Sequence, residues 1–277
     1  MRIVIIFDAN LRPDTTGIHF KQALIDEGFD VIHFAPLSNS NGPLHFVGYD
    51  ALPAGADLYL QIDDDLGYPP PTGFSPTAYY CIDTHRLKMP LLGSSLGRAW
   101  KASFFDYTFA AQNDGVDLLG AEGINAFWVP LGFDPVKWFP GTMKDKEFDW
   151  SFIGSMSDSR LELCSKLSRK FPNCVFGQSY GDSQLAIYHR SKIILNLPIL
   201  NDVNMRLFEA IGSGGLLTTR ALNNREMELF PDLVTFNDFD ELVLEMEYFL
   251  RHDESRNRLA ASQAREALER HTYRNRV

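Results

Sequence analysis

Arg206 and Glu209 stand three residues apart, just ahead of the small run Gly212-Ser213-Gly214-Gly215 and the apolar Leu216-Leu217. Leu207, Phe208 and Ile211 fall at helical spacing, which predicts a helix over 204–212 with one buried face. Residues three apart project from the same side of a helix. The small residues end that helix and let the backbone turn into a strand over 215–218. A guanidinium matches phosphate oxygens bidentately, and a carboxylate accepts bonds from two ribose hydroxyls. The pair therefore suits a ligand that carries a diphosphate and a ribose. The same spacing also fits an ion pair on an ordinary helix–strand unit.

Other residues could join such a site. Gly154-Ser155 lies where a strand over 150–154 gives way to a helix over 157–170, and backbone N–H groups and the helix dipole there favour phosphate oxygens. Arg160, one turn into that helix, either reaches the same phosphates or faces solvent. Tyr180, between Gly177 and Gly181, can line a base pocket or sit in a surface turn. In the first half, Ile82-Asp83-Thr84-His85-Arg86 follows a strand, and ligands of open α/β sheets bind at such strand ends. There His85 can act as a base on an acceptor hydroxyl or hold a sugar or phosphate, with Asp83 orienting its ring, or serve structurally. Asp8, Asn10 and Gly17 follow the first strand, where a Gly-containing loop can approach a diphosphate or an acceptor; no full GxGxxG is present, which disfavours NAD. Asp63-Asp64-Asp65 has the spacing of a two-carboxylate metal motif, but acceptor binding or a solvated strand end fits it as well.

The elements that must hold these residues alternate. Apolar runs at 3–7, 31–34, 58–62, 79–82, 107–111 and 127–129 read as strands, separated by a helix from Thr16-Gly17 onward, a Pro/Gly/Asn-rich connection over 36–56 and a helix over 114–122. A linker over 135–149 follows, with Pro135, Pro140 and Gly141. A second series then runs as strand 150–154, helix 157–170, strand 174–176, helix 182–190, strand 192–196, helix 204–212, strands 215–218 and 233–236, helix 239–251 and a charged helix over 254–270. Strands spaced by helices predict parallel, doubly wound sheets.

A chain of 277 residues with 45% hydrophobic and 13% aromatic content can fill two cores. A formal charge of −10 disfavours nucleic acid as a partner. Cys81, Cys164 and Cys174 are widely spaced, which points away from zinc and from a disulfide framework and toward a reducing, cytoplasmic location. No apolar run is long enough to span a bilayer, and residues 2–7 are too short for a signal peptide.

The segment Asn204 to Thr219 resembles the donor-site segment of GT-B glycosyltransferases, in particular the CgeB-like (spore maturation protein-like) branch, with its pattern N-x-R-x-F-E-x-x-x-x-G-x-x-L-x-T. Trp150 to Ser155 with Arg160, Ile193 to Asn196, and Phe127 to Asp134 resemble that family's other segments, in the expected order. The resemblance implies GT-B architecture: two Rossmann-like domains, 1–134 for the acceptor and 150–277 for the donor, with parallel sheets facing a central cleft. It implies a metal-independent Leloir transferase that moves a sugar, from a UDP-sugar for preference, to an unidentified acceptor hydroxyl. The donor would meet Gly17, Gly154, Ser155, Arg160, Tyr180, Asn204, Arg206 and Glu209, and His85 with Asp83 would be catalytic. Neither a metal nor any cofactor beyond the nucleotide-sugar is expected. Retaining members often carry a second Glu eight residues before the ribose-binding one; this chain has Asn201 there, which puts the sugar contact and the retaining outcome in doubt. Rival readings are a nucleotide-sugar epimerase or hydrolase on the same scaffold, and a non-catalytic sugar-nucleotide-binding module.

Overall fold

A computed structural model describes residues 1–9, 15–38, 45–63, 68–87, 98–141 and 146–277. The chain divides into two compact units, Met1–Leu131 with Arg276–Val277, and Gly132–Asn275.

The first unit runs β1 (Arg2–Ile6), α1 (Thr16–Asp26), β2 (Asp30–Phe34), β3 (Leu37–Ser38), β4 (His45–Phe46), β5 (Leu58–Ile62), β6 (Thr77–Cys81), α2 (Arg98–Ala102), β7 (Tyr107–Ala110), α3 (Asn113–Ala121) and β8 (Ala126–Trp128). Six strands form one parallel sheet in the order β2-β1-β5-β6-β7-β8. Its central strands are buried on both faces, which is why they read as unbroken apolar runs. Val4, Ile6 and Tyr59 pack on one side with Leu37 and Tyr68, while Tyr79, Cys81 and Ala110 pack with Leu119. The connection over 36–56 is not structureless, because Leu37 and Ser38 pair antiparallel with Phe46 and His45.

Helix α1 turns Phe20, Ala23 and Leu24 inward, and the Phe20 ring lies 4.8 Å from that of Tyr80. Gly17 sits buried in its first turn, and a Cβ there would come 2.2 Å from Cγ of Phe7. Close packing on that ring is by itself enough to require a glycine. Gly17→Ala is expected to destabilise the protein by about 1–3 kcal/mol through overpacking, read as a lower thermal midpoint.

The second unit runs β9 (Phe148–Ile153), α4 (Asp158–Lys170), β10 (Cys174–Gly177), α5 (Gly181–Arg190), β11 (Ser191–Asn196), α6 (Met205–Gly212), β12 (Leu216–Arg220), α7 (Glu226–Leu229), β13 (Val234–Phe236), α8 (Phe239–Arg251) and α9 (Asp253–Arg270). Its five strands are all parallel, in the order β10-β9-β11-β12-β13. Trp150, Phe152, Ile193, Leu195, Phe236, Leu242 and Met246 form the core. The Trp150 indole donates to the Phe171 carbonyl at 3.0 Å, which ties β9 to the end of α4. Asp238 caps α8 by accepting from the amides of Asp240 and Glu241, both at 2.9 Å. Of the small residues after α6, Gly214 takes the left-handed conformation (φ +77°) that turns the chain toward β12. In the expected linker, Trp138 is buried and its ring lies 6.0 Å from that of Tyr188; residues 142–145 fall outside the described residues.

The last residues return to the first unit, where Arg276 donates to the carbonyls of Pro130 at 2.7 Å and Leu131 at 3.1 Å. Among the described residues no helix is long and apolar enough to cross a membrane.

Candidate functional site

An open parallel sheet binds ligands outside the carboxyl ends of its strands, where the strand order reverses. In the second unit that point lies between β9 and β11, so Gly154 and Asn196 mark its floor. Helix α6 brings Arg206 there. Its start is fixed by Asn204, whose Oδ1 accepts from the Leu207 amide at 3.2 Å and whose Nδ2 donates to Asn196 Oδ1 at 3.3 Å. Arg206 Nη1 donates to the same Asn196 Oδ1 at 3.2 Å, and its guanidinium lies 5.2 Å from the centroid of the Phe152 ring. Asn196 in turn donates to Thr219 Oγ1 at 3.1 Å, on the neighbouring strand. Arg206 also bonds the hydroxyl of the fully buried Tyr188, which accepts from Gln184 Nε2 at 3.0 Å. Burial pushes the Tyr188 hydroxyl well above the usual tyrosine range; Arg206 opposes that shift and Glu209 adds to it.

Gly154 acts by having no side chain. A Cβ there would come 2.1 Å from Arg206 Nη2, so the glycine gives the guanidinium its place. Its amide is engaged, donating to the Gly177 carbonyl at 2.8 Å, which corrects the expectation that this N–H is offered to a phosphate. Arg160 neither faces solvent nor reaches out freely. It is buried and donates to Ser155 O at 2.9 Å, to Ser155 Oγ at 2.7 Å and to the Leu197 carbonyl. Its guanidinium also lies over the Phe152 ring, at 5.6 Å. Burial, and then the charge of Arg206, lower its pKa from the ordinary arginine value. Two cations thus share one aromatic ring, and among the described residues both bond only neutral acceptors. That arrangement favours an anion at the strand ends.

Glu209 is buried one turn along α6 from Arg206. Tyr180 is 54% exposed at the start of α5, beyond the carboxyl end of β10. Asn201 is engaged in a clasp. Its side chain accepts from the Asn223 amide at 2.8 Å and donates to the Asn223 carbonyl at 3.0 Å, while its own carbonyl accepts from Asn224 Nδ2 at 2.7 Å. These bonds join the loops that follow β11 and β12. Beside the clasp, Leu200 has a positive φ of 50°.

The first-unit residues sit at the carboxyl end of β6. Thr84–Arg86 form a 3-10 turn, and Asp83 pairs with Arg86 Nε at 3.6 Å. Asp83 and His85 bring ligand atoms within 4.8 Å of each other, and the Asp83 carboxylate is shared with Arg86. Thr84 is buried and donates to Asp114 Oδ1 at 3.3 Å. Asp63 is buried with Lys101 Nζ 3.8 Å away, and that ammonium lies over the rings of Tyr68 and Tyr79 at 4.8 and 4.9 Å. Its carboxylate is thus engaged with a lysine rather than ending a solvated strand. Asp64, Asp65 and Asn10 fall outside the described residues.

Sequence reasoning does not single out Asn196, Tyr188, Gln184 or Phe152 as site residues, although Phe152 and Asn196 lie within two of the segments that carry the resemblance.

The chain forms two units, each with a parallel sheet flanked by helices, and its likeness to solved glycosyltransferases gives this α/β fold the GT-B class. Residues 157–277 match the model of a family described as "Glycosyl transferase-like". Among solved structures, the chain is similar to sucrose-phosphate synthase from Thermosynechococcus elongatus, with a TM-score of 0.67, 10% identity and coverage of 97% of this chain and 94% of that one. It is similar to an alpha-glucosyltransferase in complex with UDP-glucose and DNA, with a TM-score of 0.66, 13% identity and coverage of 98% and 96%. It is also similar to the catalytic domain of starch synthase IV from Arabidopsis thaliana, with a TM-score of 0.63, 11% identity and coverage of 95% and 94%. At these identities the likeness establishes the fold. No curated protein matches the chain by sequence.

Proposed function

We propose that this protein is a Leloir glycosyltransferase that moves a sugar from a nucleotide-diphosphate donor to an acceptor hydroxyl without a metal. The observation that carries the proposal is the Arg206 guanidinium at the β9/β11 strand ends, held over Phe152 and bonded to the neutral groups of Asn196 and Tyr188. Charge grows on the diphosphate as it leaves, and a guanidinium fixed beforehand stabilises that charge with little reorganisation. Arg160 holds the Ser155 turn beside it. Glu209 accepts from the ribose hydroxyls, and Tyr180 flanks the base. Asn204 anchors the start of α6. On the first unit, His85 is the base for the acceptor hydroxyl, with Asp83 beside it. The alpha-glucosyltransferase structure contains UDP-glucose and the starch synthase structure contains ADP, so uridine and adenosine donors are the first to try, with a UDP-sugar favoured.

Asn201 favours a second reading. It stands where retaining relatives hold the sugar with a Glu, and its side chain is bonded to Asn223. A nucleotide-sugar hydrolase or epimerase, or a non-catalytic binder of sugar nucleotides, fits that substitution.

A thermal-shift series with UDP, GDP, ADP, TDP and NAD⁺, with and without Mg²⁺, tests the proposal. A nucleoside diphosphate at 100 times its Kd stabilises by about 2.7 kcal/mol. The expected result is a shift with UDP that needs no Mg²⁺ and is lost in Glu209→Ala. A shift with NAD⁺ alone, or with no nucleotide, overturns the reading. Free sugar released from a UDP-sugar without acceptor would favour the hydrolase, and binding without turnover the non-catalytic module.

A further inference from the structure

We propose that Asn196 is a positioning residue whose neutrality matters: it holds Arg206 in place without cancelling its charge, so the β9/β11 subsite selects a diphosphate over a monophosphate. Asn196 is fully buried at the carboxyl end of β11. Its Oδ1 accepts from Arg206 Nη1 at 3.2 Å and from Asn204 Nδ2 at 3.3 Å, and its Nδ2 donates to Thr219 Oγ1 at 3.1 Å. One amide therefore joins the donor helix, its cap and the next strand. Aspartate is its isostere and could accept every one of these bonds, with the Thr219 hydroxyl turned to donate. Aspartate would also make an ion pair with Arg206, which geometry alone would favour.

The site has the opposite character. Tyr188, the other polar partner of Arg206, is neutral, and burial keeps its hydroxyl protonated. Arg160, the second cation on the Phe152 ring, bonds the Ser155 carbonyl and hydroxyl and the Leu197 carbonyl, all neutral. Arg206 Nε is buried and makes no hydrogen bond among the described residues. Glu209, the acid on the same helix, acts on the Tyr188 hydroxyl from that side. Two like charges on one ring repel, and the repulsion is relieved best by a ligand that carries two negative charges. A diphosphate offers one charged phosphoryl group to each cation; a monophosphate ester, also close to a dianion at neutral pH, holds both charges on a single group, and a nucleoside holds none. The inference rests on the proposed function only for the nucleoside attached to the diphosphate.

Calorimetric titration of the full chain with pyrophosphate, UDP, UMP and uridine, at two salt concentrations, tests it in wild type, Asn196→Asp and Asn196→Ala. Wild type should bind UDP more tightly than UMP. Asn196→Asp should weaken pyrophosphate and UDP about tenfold or more and flatten their salt dependence, because the new carboxylate takes the place of the ligand's charge. Uridine should be unaffected. Asn196→Ala removes the bond but adds no charge, so it should do less harm than Asn196→Asp. A residue needed only for architecture would give the reverse order, because Asp preserves shape and bonds while Ala leaves a gap. That reverse order, or wild type binding UMP as tightly as UDP, overturns the inference while leaving the proposed donor class standing. Failure of wild type to bind any of the phosphorylated ligands overturns both.

Discussion

Gly154→Ala is expected to weaken UDP binding about 100-fold while lowering the thermal midpoint only modestly. The added Cβ would come 2.1 Å from Nη2 and 2.7 Å from Cζ of Arg206. Those atoms are the far end of a flexible side chain, so the fold yields by moving the guanidinium, not the backbone. Once moved, Arg206 loses the Asn196 bond at 3.2 Å and its seat 5.2 Å above the Phe152 ring. Charge-assisted hydrogen bonds contribute about 1.5–3 kcal/mol each, so losing one or two from a diphosphate weakens binding by roughly 100-fold. The stability change should be about 1–2 kcal/mol, because only the side-chain tip moves but its bonds to buried Asn196 and Tyr188 are given up. Calorimetric titration with UDP beside scanning calorimetry separates the two effects. Undiminished UDP binding in Gly154→Ala would remove Arg206 from the site.

The second large effect is on stability. Lys101→Ala and Asp63→Ala should each destabilise the protein by about 3–5 kcal/mol, because removing one partner leaves the other's charge buried. The two side chains are 0% and 1% exposed and lie 3.8 Å apart. Lys101 also loses its place over the rings of Tyr68 and Tyr79. The double variant should cost clearly less than the two singles together, since the attraction between the two charges is lost only once. Urea unfolding of the four proteins gives the cycle. Were Asp63 instead a metal ligand of an Asp63-x-Asp65 motif, Asp63→Ala would leave the urea midpoint nearly unchanged and alter only the response to Mn²⁺ or Mg²⁺.

Regular elements were legible where local pattern and tertiary environment agree. β5 over Leu58–Ile62 and α8 over Phe239–Arg251 have the bounds that their apolar runs predict. The β3–β4 hairpin was not legible, since two-residue strands leave no alternation to read. α2 and α7 escaped for a related reason, being five and four residues long, hardly more than one helical turn. At the candidate site, Arg206, Glu209 and Gly154 could be chosen from residue type and spacing. Their environment could not, because it is built from residues far apart in sequence: Phe152 on β9, Tyr188 on α5 and Asn196 on β11. Gly17 shows the same limit from the other side. The glycine was noticed, but its cause is a ring ten residues earlier, at Phe7. Arg160 was chosen for phosphate, yet its bonds go to Ser155 and Leu197.

The Asn201–Asn223 clasp makes the two loops after β11 and β12 a single exchangeable part. A graft that replaced residues 197–203 alone would break the bonds to Asn223 and Asn224, and one that replaced 221–225 alone would break the same bonds from the other side. The two loops are therefore best exchanged together, and natural drift in one should be matched by compensating change in the other.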